Sequence, residues 1–403
     1  MKYNFDKTIN MTGIPSLKWG FTHGKKNPMK VEQSDIFSGD DPALPLWVAD
    51  MDFPSPQPVI DALQARAEHG VYGYAYPTNS YYDAVTDWMQ KRHGWRIDKE
   101  WMCVVPGVVP GLNMLIRTFV APGERVLIQP PVYHPFFHAI KNNHTELVSN
   151  SLIYENGQYR MDFEDLEEKT RDPAVKMAIL CSPHNPVGRI WSKEELLRFG
   201  EICLRNDVLV VSDEIHGDLV FQGNVFTPFA TINEEFLQKS IICTAPSKTF
   251  NLAGMKTANI VIPDERLRSE YQKTLVSNGL SGIMAFGIVA VEAAYRHGEE
   301  WLEQVLEYIE SNFYFLEEYI AQHIPQIRVI SAEGTYLIWL DCRQLGMDRE
   351  QLKRFFEEEA RVFLNEGHIF GSEGEGFQRI NIACTRATLA EALTRIKKAI
   401  NQM

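Results

Sequence analysis

A chain of 403 residues with 45% hydrophobic and 23% charged composition has the length for one large domain and a smaller one. Its 40 Lys and Arg stand against 53 Asp and Glu, a formal charge of −13, which disfavours nucleic acid or an anionic membrane surface as partner. The six cysteines lack CxxC spacing and read as buried free thiols, the start MKYNFDKTIN has no secretion-signal core, and the most apolar helical stretch, Gly282 to Ala290, is far short of a membrane span, so a cytoplasmic protein is expected.

In chain order, apolar runs at Met102–Val105, Arg125–Ile128, Met177–Cys181, Val208–Val211, Ser240–Cys243 and Asn259–Ile262 predict strands buried on both faces. Helical patterns lie between them. One is Leu112–Phe119, and another is Leu196–Leu204, opened by Ser192 as N-cap with Glu195 three residues later. Alternating strand and helix predicts an α/β fold with a mainly parallel, mixed sheet flanked by helices. From about Ile288 the pattern changes to long charged helices at Trp301–Ile320, Arg349–Val362 and Leu389–Ile400, with strands at Gly334–Leu340 and Arg379–Ala383. The expected division is a large domain over 46–287 and a small α+β domain built from 1–45 and 288–403.

Ligands of open α/β sheets sit at the carboxyl ends of the strands, so the residues following each apolar run carry the functional reading. After Met102–Val105, a Gly-rich turn with Gly107 and Val108 leads into a helix and offers N–H groups to a phosphate. After Arg125–Ile128, a proline-stiffened loop presents Tyr133, and after Met177–Cys181, Ser182-Pro-His-Asn185-Pro-Val-Gly188 fixes one amide side chain. After Val208–Val211 comes Ser212-Asp213-Glu214-Ile215-His216, where a carboxylate at the mouth of a buried strand needs a cationic or proton-bearing partner. After Ser240–Cys243 comes Ser247-Lys248 in a loop between two strands, with Lys256 eight residues on. Taken singly, a connecting turn, a core tyrosine, an Asn-Pro turn and a solvated lysine explain each feature. Together on one sheet edge they supply what pyridoxal 5'-phosphate chemistry requires.

Ser182-Pro-His-Asn185-Pro-Val-Gly188, Ser212-Asp213-Glu214-Ile215-His216 and Ser247-Lys248, in this order, resemble the fold-type I pyridoxal phosphate enzymes of the class I/II aminotransferase superfamily, with an aspartate aminotransferase-like fold. Leu46-Trp47-Val48-Ala49-Asp50-Met51-Asp52-Phe53-Pro54, Val71-Tyr72-Gly73-Tyr74 and Ser212-Asp213-Glu214-Ile215-His216-Gly217-Asp218 look like the MalY/PatB group of cystathionine β-lyases, over nearly the whole chain. The resemblance implies that Lys248 links to the cofactor aldehyde and then removes the substrate α-proton, with Asp213 on the pyridine nitrogen, Asn185 on the ring oxygen and Tyr133 stacked on the ring. It implies that Ser247, Lys256, Gly107 and Val108 hold the phosphate, with Tyr74 reaching across from the second subunit of a homodimer. Arg379 matches the arginine that grips the substrate carboxylate in bidentate fashion.

Two positions depart from the broad aminotransferase pattern: His216 stands where a tyrosine usually bonds the ring oxygen, and Lys256 replaces a phosphate-binding arginine. The expected reaction is carbon–sulfur β-elimination from L-cystathionine or a similar S-substituted cysteine. Its rivals are transamination of an L-amino acid and a regulatory protein that retains the fold. A metal site at His134-Pro-Phe-Phe-His138 has i, i+4 spacing but no adjacent acid, and no metal is expected.

Overall fold

Seven strands form the central sheet: β1 Met102–Val105, β2 Arg125–Ile128, β3 Glu146–Ser149, β4 Val175–Cys181, β5 Leu209–Asp213, β6 Ser240–Thr244 and β7 Ala258–Val261. The computed structural model in which they appear describes residues 2–11, 13–23, 31–280 and 282–403. Their spatial order is β1-β7-β6-β5-β4-β2-β3. The pairs β6–β5, β5–β4, β4–β2 and β2–β3 are parallel, while β7 runs antiparallel to both β6 and β1. Almost every residue of β4, β5 and β6 is buried, which accounts for their unbroken apolar runs.

The helices that matter for the edge of this sheet are α1 Asn79–His93, α2 Val108–Phe119, α3 Lys193–Arg205 and α4 Pro246–Thr249. Leu112, Leu115 and Ile116 of α2 join Val105, Val126, Ile179, Val211, Ile241 and Ile260 of the strands in one core cluster. Each fully buried aliphatic side chain of this kind contributes about 2 kcal/mol. At the start of α3 the Ser192 hydroxyl accepts the Glu195 N–H while the Glu195 carboxylate accepts the Ser192 N–H, the capping box that the spacing predicted.

Register sets the working edge. Cys181 pairs with Asp213, and Asp213 with Cys243, so three parallel strands end level with one another. In β7, Asn259 pairs with Thr244 and Ala258 with Val105. The amino end of this reversed strand therefore meets the carboxyl ends of its neighbours, and Lys256, two residues before it, enters from that side.

By packing, the chain divides into a central unit, Pro54–Glu303 with Glu333–Thr335, and a second unit of Met1–Phe53, Gln304–Ala332 and Tyr336–Met403. The boundaries thus fall at 54 and 303, where the sequence reading sets them at 46 and 287. Residues 46–53 join the second unit through backbone bonds such as Leu46 N–H to the Phe363 carbonyl and Asp52 N–H to the Ala383 carbonyl. Residues 288–303 stay in the central unit because the helix Ala285–His297 runs unbroken past 287 and packs on Gln57–Glu68 and on α1.

The second unit holds an antiparallel sheet of Arg328–Val329, Leu337–Asp341, Phe377–Asn381 and Asn365–Glu366, in that order, with the helix Arg386–Ile400. The single helix expected over Arg349–Val362 ends instead at Arg354 and passes through a wider turn, Phe355–Glu359. Val362–Phe363 then forms a parallel pair with Leu44–Pro45.

Candidate active site

Asp213 is the last residue of β5, not the second residue of a loop, and it is 3% exposed. Its Oδ1 accepts the Ile215 N–H at 3.2 Å. Burial raises its pKa to about 7, against which the Ile215 N–H and the positive charge of Lys248 act to lower it. The two residues stand at the ends of adjacent strands, since Asp213 pairs with Cys243 of β6 and Lys248 follows that strand. Lys248 itself lies on α4, a single helical turn, where the sequence reading has a loop; Pro246 at the first turn fits the fixed φ a helix start requires.

Glu214, the next residue, is also buried. Its Oε1 accepts from Ser212 Oγ at 3.0 Å and from the Phe229 N–H at 2.8 Å, and its buried Oε2 has no hydrogen-bond partner among the described residues. Desolvation raises its pKa to about 8, more than those two donors lower it, so the side chain is a neutral acid at neutral pH.

The loops after β1, β2 and β4 bring in the remaining groups. Gly107 precedes α2 with φ +115°, a conformation an L side chain rarely adopts, and the helix it opens directs its first N–H groups outward. Tyr133 is half-buried against the core cluster, its ring edge-on to Phe136 at 5.6 Å. Asn185 is 3% exposed, and its N–H lies 3.5 Å from the Cys181 thiol at the end of β4.

His184, to which the sequence motif gives no role, joins two of these loops. The fully buried ring places Nε2 2.9 Å from the Pro131 carbonyl. Burial lowers its pKa to about 4, so the neutral ring donates this bond and ties the Tyr133 loop to the Asn185 loop.

His216 is buried. Three residues further along, the N–H of Leu219 returns to its carbonyl at 2.9 Å. Asp218, inside that turn, accepts from His93, Trp88 and Thr249. Ser247 is half-buried on α4, whereas Lys256 and Tyr74 are exposed, Tyr74 beside the exposed Val71, Tyr72 and Tyr76. Lys256 takes a left-handed conformation, φ +46°, as the chain turns into β7.

Arg379 belongs to the second unit, in the strand Phe377–Asn381, and is 3% exposed. Its guanidinium donates to the Trp47 carbonyl at 3.0 Å and to Asn365 Oδ1, and lies 4.9 Å from the centre of the Phe370 ring. Asn381 in the same strand donates to the Val48 and Asp50 carbonyls at 2.6 and 2.7 Å, and Lys18 pairs with Asp52 at 2.9 Å. The motif Leu46–Phe53 is thus held by buried side chains of its own unit. His134 and His138 stand with ring centres 6.1 Å apart, and no group of three metal-ligating side chains occurs among the described residues. No helix among the described residues is long and apolar enough to cross a membrane.

The donor set on the central edge fits pyridoxal phosphate: a buried carboxyl poised near neutrality for the ring nitrogen, an amine on the adjoining strand's turn, a buried amide, and a glycine-opened helix start for the phosphate.

Comparison with known proteins agrees in family. Residues 43–396 match the family model for aminotransferase class I and II. The chain is 43% identical over 398 residues to cystathionine beta-lyase PatB of Bacillus subtilis, covering 99% of this chain and 100% of that protein. Among solved structures it is similar to cystalysin from Treponema denticola, which contains a pyridoxal 5'-phosphate cofactor (TM-score 0.93, 37% identity, 100% of both chains). It is likewise similar to the PLP-bound C-S lyase of Staphylococcus hominis in complex with L-cycloserine (TM-score 0.90, 33% identity, 99% of this chain and 98% of that one).

Proposed function

The chain belongs to the class I and II aminotransferase family, and from that premise we propose that it is a pyridoxal phosphate-dependent carbon–sulfur β-lyase. It cleaves L-cystathionine or a related S-substituted cysteine to a thiol, pyruvate and ammonia. The observation that carries this reading is the buried Asp213 at the end of β5 under the electrostatic influence of Lys248, in a chain alike along its whole length to a cystathionine beta-lyase.

When bound, the cofactor supplies a protonated, electron-withdrawing ring that stabilises negative charge at the substrate α-carbon. Asp213 keeps the proton on the ring nitrogen, a task suited to a carboxylate whose burial leaves it in need of an N–H donor. Asn185 donates to the ring oxygen, and Tyr133 covers the ring face. Gly107, Val108, Ser247 and Lys256 bind the phosphate. Lys248 holds the cofactor, and its freed amine takes the α-proton. The Cβ–S bond would then break with its electron pair leaving on sulfur, which takes up a proton as the thiol, and the remaining three-carbon fragment with its nitrogen would take up one water to give pyruvate and ammonia. Arg379 supplies the planar fork for the substrate carboxylate, a role supported by its buried, pre-oriented guanidinium.

We further propose that the protein works as a homodimer in the cytoplasm. Exposed Val71, Tyr72, Tyr74 and Tyr76 support the first, and six buried free thiols the second. Mass measurement in solution tests the dimer.

The decisive assay is incubation of the yellow protein with L-cystathionine alone. Pyruvate and free thiol are expected in equal amounts. Turnover that begins only when a keto acid is added would establish transamination instead.

A further inference from the structure

Lys248 is carried on a single turn, and a single turn does not hold its own orientation. α4 comprises Pro246–Thr249, and the carbonyls of its first two residues accept from the chain that leaves it: Phe250 N–H to the Pro246 carbonyl and Leu252 N–H to the Ser247 carbonyl, both 2.9 Å. Isolated turns of this length are marginal in water, so their geometry must be imposed by side chains.

The constraint on α4 is found at Thr249, the residue after Lys248. Thr249 is fully buried and its hydroxyl donates to Asp218 Oδ2 at 2.7 Å. The other oxygen of Asp218 faces α1: His93 Nε2 lies 2.8 Å from Oδ1, and Trp88 Nε1 lies 3.1 Å from Oδ1 and 3.3 Å from Oδ2. An ionised carboxylate only accepts, so all three neighbours are donors. Trp88 also packs edge-on against Phe250, directly after the turn, at 5.4 Å.

Asp218 and His216 sit on the loop that follows Asp213 at the end of β5, and the Gly217 N–H to Glu214 carbonyl bond and the Leu219 N–H to His216 carbonyl bond, both 2.9 Å, close that loop tightly. A side chain at Gly217 would meet the Phe226 ring at 2.8 Å, and that ring stands edge-on to His93 at 5.2 Å, screening the His93–Asp218 pair from solvent. One carboxylate therefore fastens the loop that leaves Asp213, and carries His216, to the turn of Lys248.

We propose that Asp218 is a positioning residue that, through Thr249, fixes the Lys248 amine relative to Asp213 and so sets the proton affinity of the lysine toward the cofactor and the rate of α-proton removal. This rests on the reading of Lys248 as the cofactor lysine. Burial acts to raise the Asp218 pKa, but the hydrogen bonds from His93 and Thr249 and the charges of His93 and Arg92 outweigh it, keeping the anchor ionised.

The test uses Thr249→Val, which keeps the volume and removes the donor, Thr249→Ser, which keeps the donor, and Asp218→Asn. For each holoenzyme the visible absorption of the bound cofactor is titrated from neutral to alkaline pH, kcat and KM are measured, and the thermal midpoint of the cofactor-free protein is recorded. Thr249→Val and Asp218→Asn should move the absorption midpoint by roughly half a pH unit and lower kcat about 10-fold with KM within about 2-fold, as a small misplacement of a reacting group does. Thr249→Ser should stay within about 2-fold of the parent in kcat.

Variants that lose only thermal stability, with the absorption midpoint and kcat of the parent, would overturn the proposal. If Thr249→Val does not fold, Asp218→Asn against Thr249→Ser decides it: equal behaviour of the two is a negative result. A parent protein that gains no visible band with pyridoxal phosphate, or a Lys248→Ala protein that keeps it, would instead refute the reading of Lys248.

Discussion

Two aspartates five residues apart, one at the mouth of β5 and one in the loop behind it, are both buried and shift in opposite directions. Asp213 has its pKa raised to about 7, whereas Asp218 is lowered. Burial penalises both alike; the difference lies in the company they keep. Asp218 accepts from an imidazole, an indole and a hydroxyl at 2.7 to 3.3 Å, which replaces what it loses from water. Asp213 has the Ile215 N–H and the more distant pull of Lys248. Asp218 is satisfied within the fold, whereas Asp213 keeps capacity for a ligand's proton, which is what its proposed role requires.

The largest test of this contrast is Asp213→Asn. An amide cannot hold a proton on the ring nitrogen by charge, so kcat/KM should fall by about 10²- to 10³-fold with little loss of fold stability, measured by steady-state turnover beside a thermal melt. Wild-type turnover would erase the distinction between the two aspartates.

Next in size is the acid behaviour of Asp218→Asn. Because folding depresses the Asp218 pKa, its stabilisation is present above the ordinary carboxylate value of 3.8 and is lost as pH falls through the folded value. The variant should be less stable at neutral pH by about 2 kcal/mol, and the gap to the parent should close in acid, read by urea unfolding at a series of pH values. A gap that stays constant into acid would show that the charge of Asp218 is not what holds the loop.

The smallest effect is expected at Glu214, where folding raises the pKa from 4.5 to about 8. The folded state then binds its proton more tightly than the unfolded chain, so stability declines as pH rises through that window. Glu214→Gln should flatten the decline while leaving kcat within about 3-fold of the parent. A variant with the parent's slope would place the alkaline sensitivity elsewhere, at Asp213 or Glu357, whose pKa values burial raises to about 7.

Sequence reading was strongest where the local pattern and the tertiary environment agree. β1 and β2 fall on their expected bounds, because strands covered on both faces admit little but aliphatic residues. Of the two edge strands, β1 is nearly all buried and carries an apolar run, whereas β3 has Glu146 exposed and Leu147 43% exposed, so no apolar run marks it. The helix expected to reach Val362 fails for a non-local reason: Arg361 turns left-handed at φ +51° and pairs with Asp41 at 3.1 Å, and the next two residues join a strand from near the N-terminus.

The candidate site divides in the same way. Asp213, Asn185 and Lys248 stand out because motifs place them directly after buried strands. His184 and Asp218 stood in quoted motifs without a role, since their partners, Pro131 in one case and His93, Trp88 and Thr249 in the other, are distant in sequence. Only folded coordinates join such pairs.

The link from His184 to Pro131 is made by an imidazole whose pKa has fallen to about 4. Between mild acid and strong base that ring undergoes no change of charge, so the clasp neither tightens nor slackens as a cell's interior drifts in acidity. A pH profile above mild acid would then originate in groups other than this hinge pin, which keeps the same donor throughout that range.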